Sequence, residues 1–249
     1  MIKENDETLD SISFPSVKIL QREKGYRFSL DPVLLSDFFI KSHFKASRIA
    51  DLGSGSGIIP ILICTKKMNI SAVGIEIQES LSKLAEKNVK MNNLSERISI
   101  INDDLRIVRG KLLPEQYDAV IANPPFREPN SGRLNKISEK TIARHEIKCS
   151  LKDILKASFY LLKAGGALFM IYPPRRLSQI ISEFKSNKFE PKIMRFVHSY
   201  ADTDAVMMLI KAKKGGNSGL KILKPLYVYE KEKTYSAEMN EIYGINPKQ

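Results

Sequence analysis

The chain has 249 residues, 43% of them hydrophobic, and its 40 Lys and Arg against 28 Asp and Glu give a formal net charge of +12. That length and apolar share build one large packed domain or two small ones, which excludes disorder as a general description. The positive excess suits a polyanionic partner such as nucleic acid, though charge alone does not establish one.

The first ten residues, MIKENDETLD, carry four acids and one Lys. A secretory leader is therefore not expected, and the chain is read as cytoplasmic. The longest apolar run, Ile58 to Cys64, is seven residues with Pro60 inside it, against the roughly 20 that a membrane helix requires. Cys64 and Cys149 form no C-x-x-C pair, and His43, His145 and His198 are scattered. Neither a disulfide framework nor a metal site is expected, and Cys64 reads as core.

From Ser47 to Lys214, short apolar runs alternate with amphipathic segments, the pattern of βαβ units. Seven strands are predicted: RIADLG, SAVGIEI, ISIIND, YDAVIANPP, GGALFMIY, PKIMRFV and AVMMLIKA. Each is short, rich in branched residues and bounded by Gly, Pro, Asn or Asp. The expected fold class is α/β, a seven-stranded, mostly parallel sheet with helices on both faces. IIPILIC predicts a helix after the first strand. Leu81, Leu84, Ala85 and Val89 predict another, with charged residues opposite. Ser150 and Asp153 resemble a capping box, opening a helix on the stripe Leu151, Ile154, Leu155, Leu161 and Leu162 that Gly165 and Gly166 should stop. The polar stretch between Pro125 and Ser150 is long for a connection in a compact domain, which marks it as functional or mobile. LKILKPLYVYE predicts an edge strand and tail. Residues 175–233 hold 13 basic and 6 acidic side chains. Lys211, Lys213 and Lys214 among them read equally as a solvated strand end or a phosphate-binding face.

Three motifs fall at strand ends. Asp51-Leu52-Gly53-Ser54-Gly55-Ser56-Gly57 follows the first strand and opens into a helix, so the glycines allow a sharp turn and close approach of a ligand to the backbone. Glu76, 25 positions after Asp51, ends the second strand, where a carboxylate can accept hydrogen bonds from two ribose hydroxyls. Both features also fit a dinucleotide site. The spelling D-x-G-x-G-x-G resembles class I S-adenosylmethionine-dependent methyltransferases, whose fold is Rossmann-like. The resemblance implies that Asp51, Gly53, Gly55 and Gly57 hold the methionine part of S-adenosyl-L-methionine and that Glu76 holds its ribose. It further implies that Asp104, with Asp103 as alternative, contacts the adenine; either could instead cap the next short helix.

Asn123-Pro124-Pro125-Phe126 closes the fourth strand at the carboxyl edge, where ligands bind in open α/β sheets. An N-P-P turn also simply ends a strand. The tetrapeptide resembles that of methyltransferases acting on planar nitrogens. If the Asn123 oxygen and the Pro124 carbonyl each accept one N–H, the amino nitrogen can pyramidalise and direct its lone pair at a methyl carbon. Phe126 would stack on the base.

The stretch Lys24 to Leu35, RHE at 144–146, LLKAGGALFMIYPPRRL, VHSYADTDA and PLYVYE together resemble bacterial tRNA adenine-N6-methyltransferases that act beside the anticodon of valine tRNA. That resemblance implies an N-terminal segment, 1–46, folding over the cofactor with the help of Phe28 and Asp31. A methyltransferase domain would span 47–214 and a C-terminal edge strand and tail 215–249. Asp31 could equally cap a helix before Pro32. Candidates for substrate contact are Pro125 and the arginines Arg127, Arg133, Arg144, Arg175 and Arg176, each arginine also readable as surface solvation. The partner implied is tRNA, the protein a monomer. Competing readings are a release-factor glutamine methyltransferase and a ribosomal RNA guanine-N2 methyltransferase. The former usually carries a helical N-terminal domain and Tyr where Phe126 stands, and the latter a duplicated domain. A non-catalytic RNA-binding protein with this fold and a nicotinamide dehydrogenase compete from different functional classes.

Overall fold

The computed structural model describes residues 7–12, 16–23, 29–124 and 149–245. A hairpin of β1 (Glu7–Ile12) and β2 (Val17–Arg22) leads into α1 (Asp31–Lys41). Then follow β3 (Arg48–Leu52), α2 (Ile58–Lys66), β4 (Ser71–Glu76), α3 (Glu79–Met91) and β5 (Ile98–Asn102). A 3-10 helix over Leu105–Gly110 precedes β6 (Tyr117–Ala122). Next come α4 (Leu151–Leu161), β7 (Leu162–Tyr172), a 3-10 turn at Pro174–Arg176, α5 (Leu177–Ser186), β8 (Phe189–His198) and β9 (Ala205–Lys214). The last stretch holds β10 (Lys221–Ile222), β11 (Leu226–Tyr227), β12 (Tyr229–Lys231), β13 (Thr234–Tyr235) and α6 (Ala237–Tyr243).

All seven predicted strands form, as β3 to β9, but the main sheet has nine, in the order β10, β8, β9, β7, β6, β3, β4, β5, with β11 also on β8. The two additional strands are pieces of the predicted edge strand: Lys221 and Ile222 pair with Ile193 and Met194, and Leu226 and Tyr227 with Val197 and His198. Pro225 between them has no N–H for the ladder, so the edge is interrupted. Only β9 runs against its neighbours. The carboxyl ends of β3 to β8 therefore share one edge of the sheet.

The hairpin, α1, α2 and α6 pack on one face, and α4 and α5 on the other. Residues 119–122 of β6 lie between the two layers with no exposure, which is why that strand reads as an unbroken apolar run. Cys64 is fully buried, as expected.

The predicted box at Ser150 forms completely: its hydroxyl accepts from the Asp153 N–H at 3.2 Å, and Asp153 accepts from the Ser150 N–H at 3.0 Å. The helix it opens stops sooner than its apolar spacing suggests. Leu162 is already extended and pairs with Tyr117, so it belongs to β7. Sheet pairing outweighs the helical stripe there. Gly165 and Gly166 sit inside the strand; a Cβ on Gly166 would meet the Lys163 and Asp118 carbonyl oxygens at 3.0 and 3.1 Å.

The three lysines on β9 divide: Lys213 is exposed, as a solvated strand end would be, whereas Lys211 and Lys214 are packed. Lys214 is buried, donating to Glu115 at 2.8 Å and to the Leu162 carbonyl at 2.7 Å, with its ammonium 4.3 Å from the Phe159 ring centre. Lys211 stands 4.6 Å over Phe44. Because β9 is reversed, Lys214 also lies at the amino edge, away from the strand ends that carry the motifs. No helix among the described residues is long and apolar enough to cross a membrane.

Candidate active site

Strand register brings the motifs to one level. Leu52 of β3 pairs with Ile75 of β4 on one side and with Ala122 of β6 on the other. The next residue in each chain, Gly53, Glu76 and Asn123, therefore stands at the same height on the carboxyl edge. Neighbouring strands are about 4.8 Å apart, so Glu76 and Asn123 flank the glycine turn at roughly 5 Å on either side. Asn123 is half-buried and Pro124 buried.

The turn itself is left-handed three times, with φ of 77° at Gly53, 55° at Gly55 and 79° at Gly57. A side chain at Gly57 would press on Ala85 Cβ at 3.1 Å, whereas one at Gly53 would meet nothing within 4 Å. Gly53 therefore borders open space at the strand end, where a ligand can reach the backbone. Glu76, 5% exposed, organises this turn: its Oε2 accepts the Gly55 N–H and its Oε1 the Gln78 N–H, both at 2.9 Å. Each oxygen keeps a further lone pair for an outside donor.

Asp51 is fully buried at the end of β3. Neither of its oxygens, nor the Ser54 hydroxyl, has a hydrogen-bond partner of good geometry. Burial pushes the Asp51 carboxyl up to about 7; the neighbouring Ser54 hydroxyl offsets part of that rise and the Glu76 charge adds to it. Buried acceptors of this kind are rarely left unsatisfied in a working protein. An ammonium or N–H group beside them would supply the missing bonds and draw the carboxyl back toward ionisation. S-adenosylmethionine, with an ammonium, two ribose hydroxyls and a need for close backbone approach, fits this donor and acceptor set.

Other predicted residues are placed differently. Asp104 caps the 3-10 helix, accepting the Arg106 N–H at 2.9 Å, and its carboxylate also pairs with the Arg106 guanidinium. Asp103 pairs with Lys111 at 2.9 Å. Asp31 is the first residue inside α1, not its cap; Leu30 holds the cap position without a side-chain bond. Burial raises the Asp31 carboxyl, with Ser29 opposing. Arg175 is exposed just beyond β7, and Arg176 packs over the Tyr172 ring and donates to its hydroxyl at 3.0 Å, both at the carboxyl edge. Phe28, Pro125, Phe126, Arg127, Arg133 and Arg144 lie outside the described residues, as does most of the polar stretch that follows Pro125.

Two supports of the site escape a reading of the sequence alone. Asn88 on α3 is fully buried and bonds three backbone groups: the N–H of Leu20 at 2.7 Å, the carbonyl of Leu20 at 3.0 Å and the carbonyl of Ser56 at 2.9 Å. It ties the hairpin to the glycine turn. Asn92, one helical turn on, does the same for both backbone groups of Lys18 at 3.1 and 2.7 Å. Paired Asn at i and i+4, facing residues i and i+2 of a strand, is the signal that could have found them. Gly74 is the second support. A Cβ there would lie 2.5 Å from Ser54 Oγ, and a glycine inside a strand of branched residues is the mark of such an approach.

A cavity of about 490 Å³ lined by Phe39, His43, Lys45, Ser47, Lys67 and Asp118 opens at the amino ends of β3 and β6, away from this site. Among the described residues no group of three His, Cys, Asp or Glu is placed to hold a metal ion.

A family profile described as Methyltransferase small domain matches residues 31–174, more than half of the chain. Three relatives carry the name tRNA1(Val) (adenine(37)-N6)-methyltransferase. That of Trichodesmium erythraeum is 33% identical over 132 residues, 51% of this chain and 53% of the relative, so the match spans about half the length of either protein. That of Dyadobacter fermentans is 25% identical over 75% of this chain and 76% of its own length. That of Shewanella halifaxensis is 28% identical over 85% of this chain and 88% of its own length. Among solved structures, a protein of Agrobacterium tumefaciens described as a predicted O-methyltransferase superposes with a TM-score of 0.69 at 22% identity, covering 86% of this chain and 95% of that one. Ribosomal protein L11 methylase of Lactobacillus delbrueckii subsp. bulgaricus superposes at 0.53 with 17% identity, over 73% and 78%. These structural likenesses show the fold.

Proposed function

The chain belongs to the methyltransferase small domain family, and from that premise we propose that it transfers a methyl group from S-adenosyl-L-methionine to the exocyclic N6 of an adenine in the anticodon loop of tRNA. The observation that carries this reading is the common level of Gly53, Glu76 and Asn123 on the carboxyl edge. It sets a cofactor-shaped group of acceptors one strand from an Asn-Pro pair suited to an amino nitrogen.

Asp51 and Ser54 offer acceptors to an ammonium, and Glu76, already oriented by two N–H groups, offers its remaining lone pairs to ribose hydroxyls. Bound S-adenosylmethionine supplies the electrophilic methyl group. The chain's own residues prepare the acceptor. The side-chain oxygen of Asn123 and the backbone carbonyl of Pro124 each take one N–H of the amino group, which draws the lone pair out of conjugation with the ring. The nitrogen's proton becomes acidic only after methylation, so no side chain needs to remove it beforehand. In this reading Phe126 stacks on the base, and Pro125, Arg127, Arg144, Arg175 and Arg176 face the RNA. Residues 1–46 cover the cofactor, and Asp31 stands where that cover meets α1. An anticodon loop presents unstacked bases, so extruding the target costs little. The shared name of the relatives favours adenine over guanine or a protein glutamine. A cytoplasmic monomer is the setting that goes with this activity.

The test is to incubate the protein with methyl-labelled S-adenosylmethionine and total tRNA from a strain lacking the gene, then analyse the nucleosides. Labelled N6-methyladenosine is expected. Label confined to ribosomal RNA or to a release factor would overturn the substrate and leave the chemistry.

A further inference from the structure

Four tyrosines from separate stretches of the chain form one aromatic ladder. Tyr200 follows β8, Tyr229 lies in β12, Tyr235 in β13, and Tyr243 ends α6. Successive ring centres are 5.4, 5.4 and 5.5 Å apart, with interplanar angles of 33°, 9° and 9°. All four are half-buried. Among the described residues none of their hydroxyls is hydrogen-bonded, and no further ring covers the outer face of Tyr200.

The ladder lies on the edge that carries the site. Since β8 is parallel to β6 and three strands from it, Tyr200 is anchored about 14 Å along the carboxyl edge from the end of β6. The other end approaches α1: Asp31 is near enough to Tyr243 for its charge to add to the rise that burial and the neighbouring phenols impose on that hydroxyl. The stack thus runs from the end of β8 toward the first turn of α1, on the same edge of the sheet as Asn123.

Core packing accounts for Tyr229, Tyr235 and Tyr243, which lie against the same apolar cluster as α1 and α2, but not for Tyr200, which lies outside it. Leu226, Val228, Met239 and Ile242 are buried and already pin the C-terminal stretch to the sheet. Tyr200 stands on a turn, residues 199–204, in which nothing is buried. Asp202 and Asp204 on that turn disfavour a phosphate, so a nucleic acid would meet the ring through a base. Every base has a flat π face, and aromatic rings accept unpaired bases with little regard to sequence.

Resting on the tRNA reading above, we propose that the ladder is a stacking platform for unpaired bases of the substrate RNA loop, with the outer face of Tyr200 as its base contact.

Tyr200→Leu and Tyr200→Phe test this in the full chain. With total tRNA as substrate, Tyr200→Leu should raise the tRNA KM about tenfold, leave the KM for S-adenosylmethionine and the thermal midpoint unchanged, and be rescued by Tyr200→Phe. The chain has nine Tyr and no Trp, so its intrinsic fluorescence reports tyrosine directly. Adding tRNA should quench it, and less so in Tyr200→Leu. An unaltered tRNA KM in that variant overturns the platform while the tRNA activity stands. A rise in both KM values with a lowered midpoint marks a purely structural stack and also overturns it. If the unmodified protein neither binds nor methylates any tRNA, the functional reading itself falls, and the platform with it.

Discussion

Asn123 and Glu76 stand on either side of the same glycine turn, yet their proposed tasks differ, and substitution separates them. Asn123→Ala should lower kcat by roughly 100- to 1,000-fold while S-adenosylmethionine affinity stays within a few-fold, because the amide acts on the acceptor. Glu76→Ala should weaken cofactor binding, measured by titration calorimetry, since it removes charge-assisted bonds. Asp51 brings a pH dependence. Its folded pKa of about 7 lies above the ordinary carboxylate value, so the ligand-free fold favours its protonated form. Stability from this group is complete below about pH 4 and is lost as the pH rises to about 7. Between pH 5 and 8 the protein should lose on the order of 2–3 kcal/mol relative to Asp51→Asn. Urea unfolding of both proteins at the two pH values measures this, and parallel pH profiles would count against it.

Among the elements, α3 does more than bridge two strands. Its buried Asn88 serves the backbone of both β2 and the glycine turn. Asn88→Ala would leave one donor and two acceptors without partners, at a cost of about 2–4 kcal/mol, or a midpoint lower by roughly 5–15 °C for a chain this size. Cofactor affinity should fall with it, because the Ser56 carbonyl loses its anchor. A variant with an unchanged midpoint would mean that the hairpin is held elsewhere. Helix α4 illustrates the limits of local spacing. Leu162 continues its apolar stripe, but pairing with Tyr117 and a bond from Lys214 to its carbonyl hold it in β7.

Across the whole molecule the +12 charge is unevenly free. Lys214 is committed to a buried pairing at the amino edge and Lys211 to packing over Phe44, whereas Arg175 is exposed at the carboxyl edge. If four to six phosphates are neutralised there, log affinity for RNA should fall with log salt at a slope of about −3 to −4. Filter binding from 50 to 300 mM salt reads that slope, and a flat response would indicate a small or proteinaceous acceptor.

The alternation of apolar runs and the placement of Gly, Asp, Glu and Asn-Pro at their ends were enough to predict a mostly parallel α/β sheet and to bring Gly53, Glu76 and Asn123 to its carboxyl edge. Those features rest on local geometry: a left-handed turn needs glycine, and a buried strand needs branched residues on both faces. What remained for the tertiary structure depends on contacts between distant segments. Asn88 reads like any helix residue until a strand 68 positions away lies across it. By sequence Asp104 reads as either a ligand contact or a cap, and only the fold shows the cap bond it accepts from the Arg106 N–H. The tyrosines at 200, 229, 235 and 243 have no common spacing, and only the folding of the last stretch back onto α1 stacks them, because aromatic faces find one another through space and not along the chain.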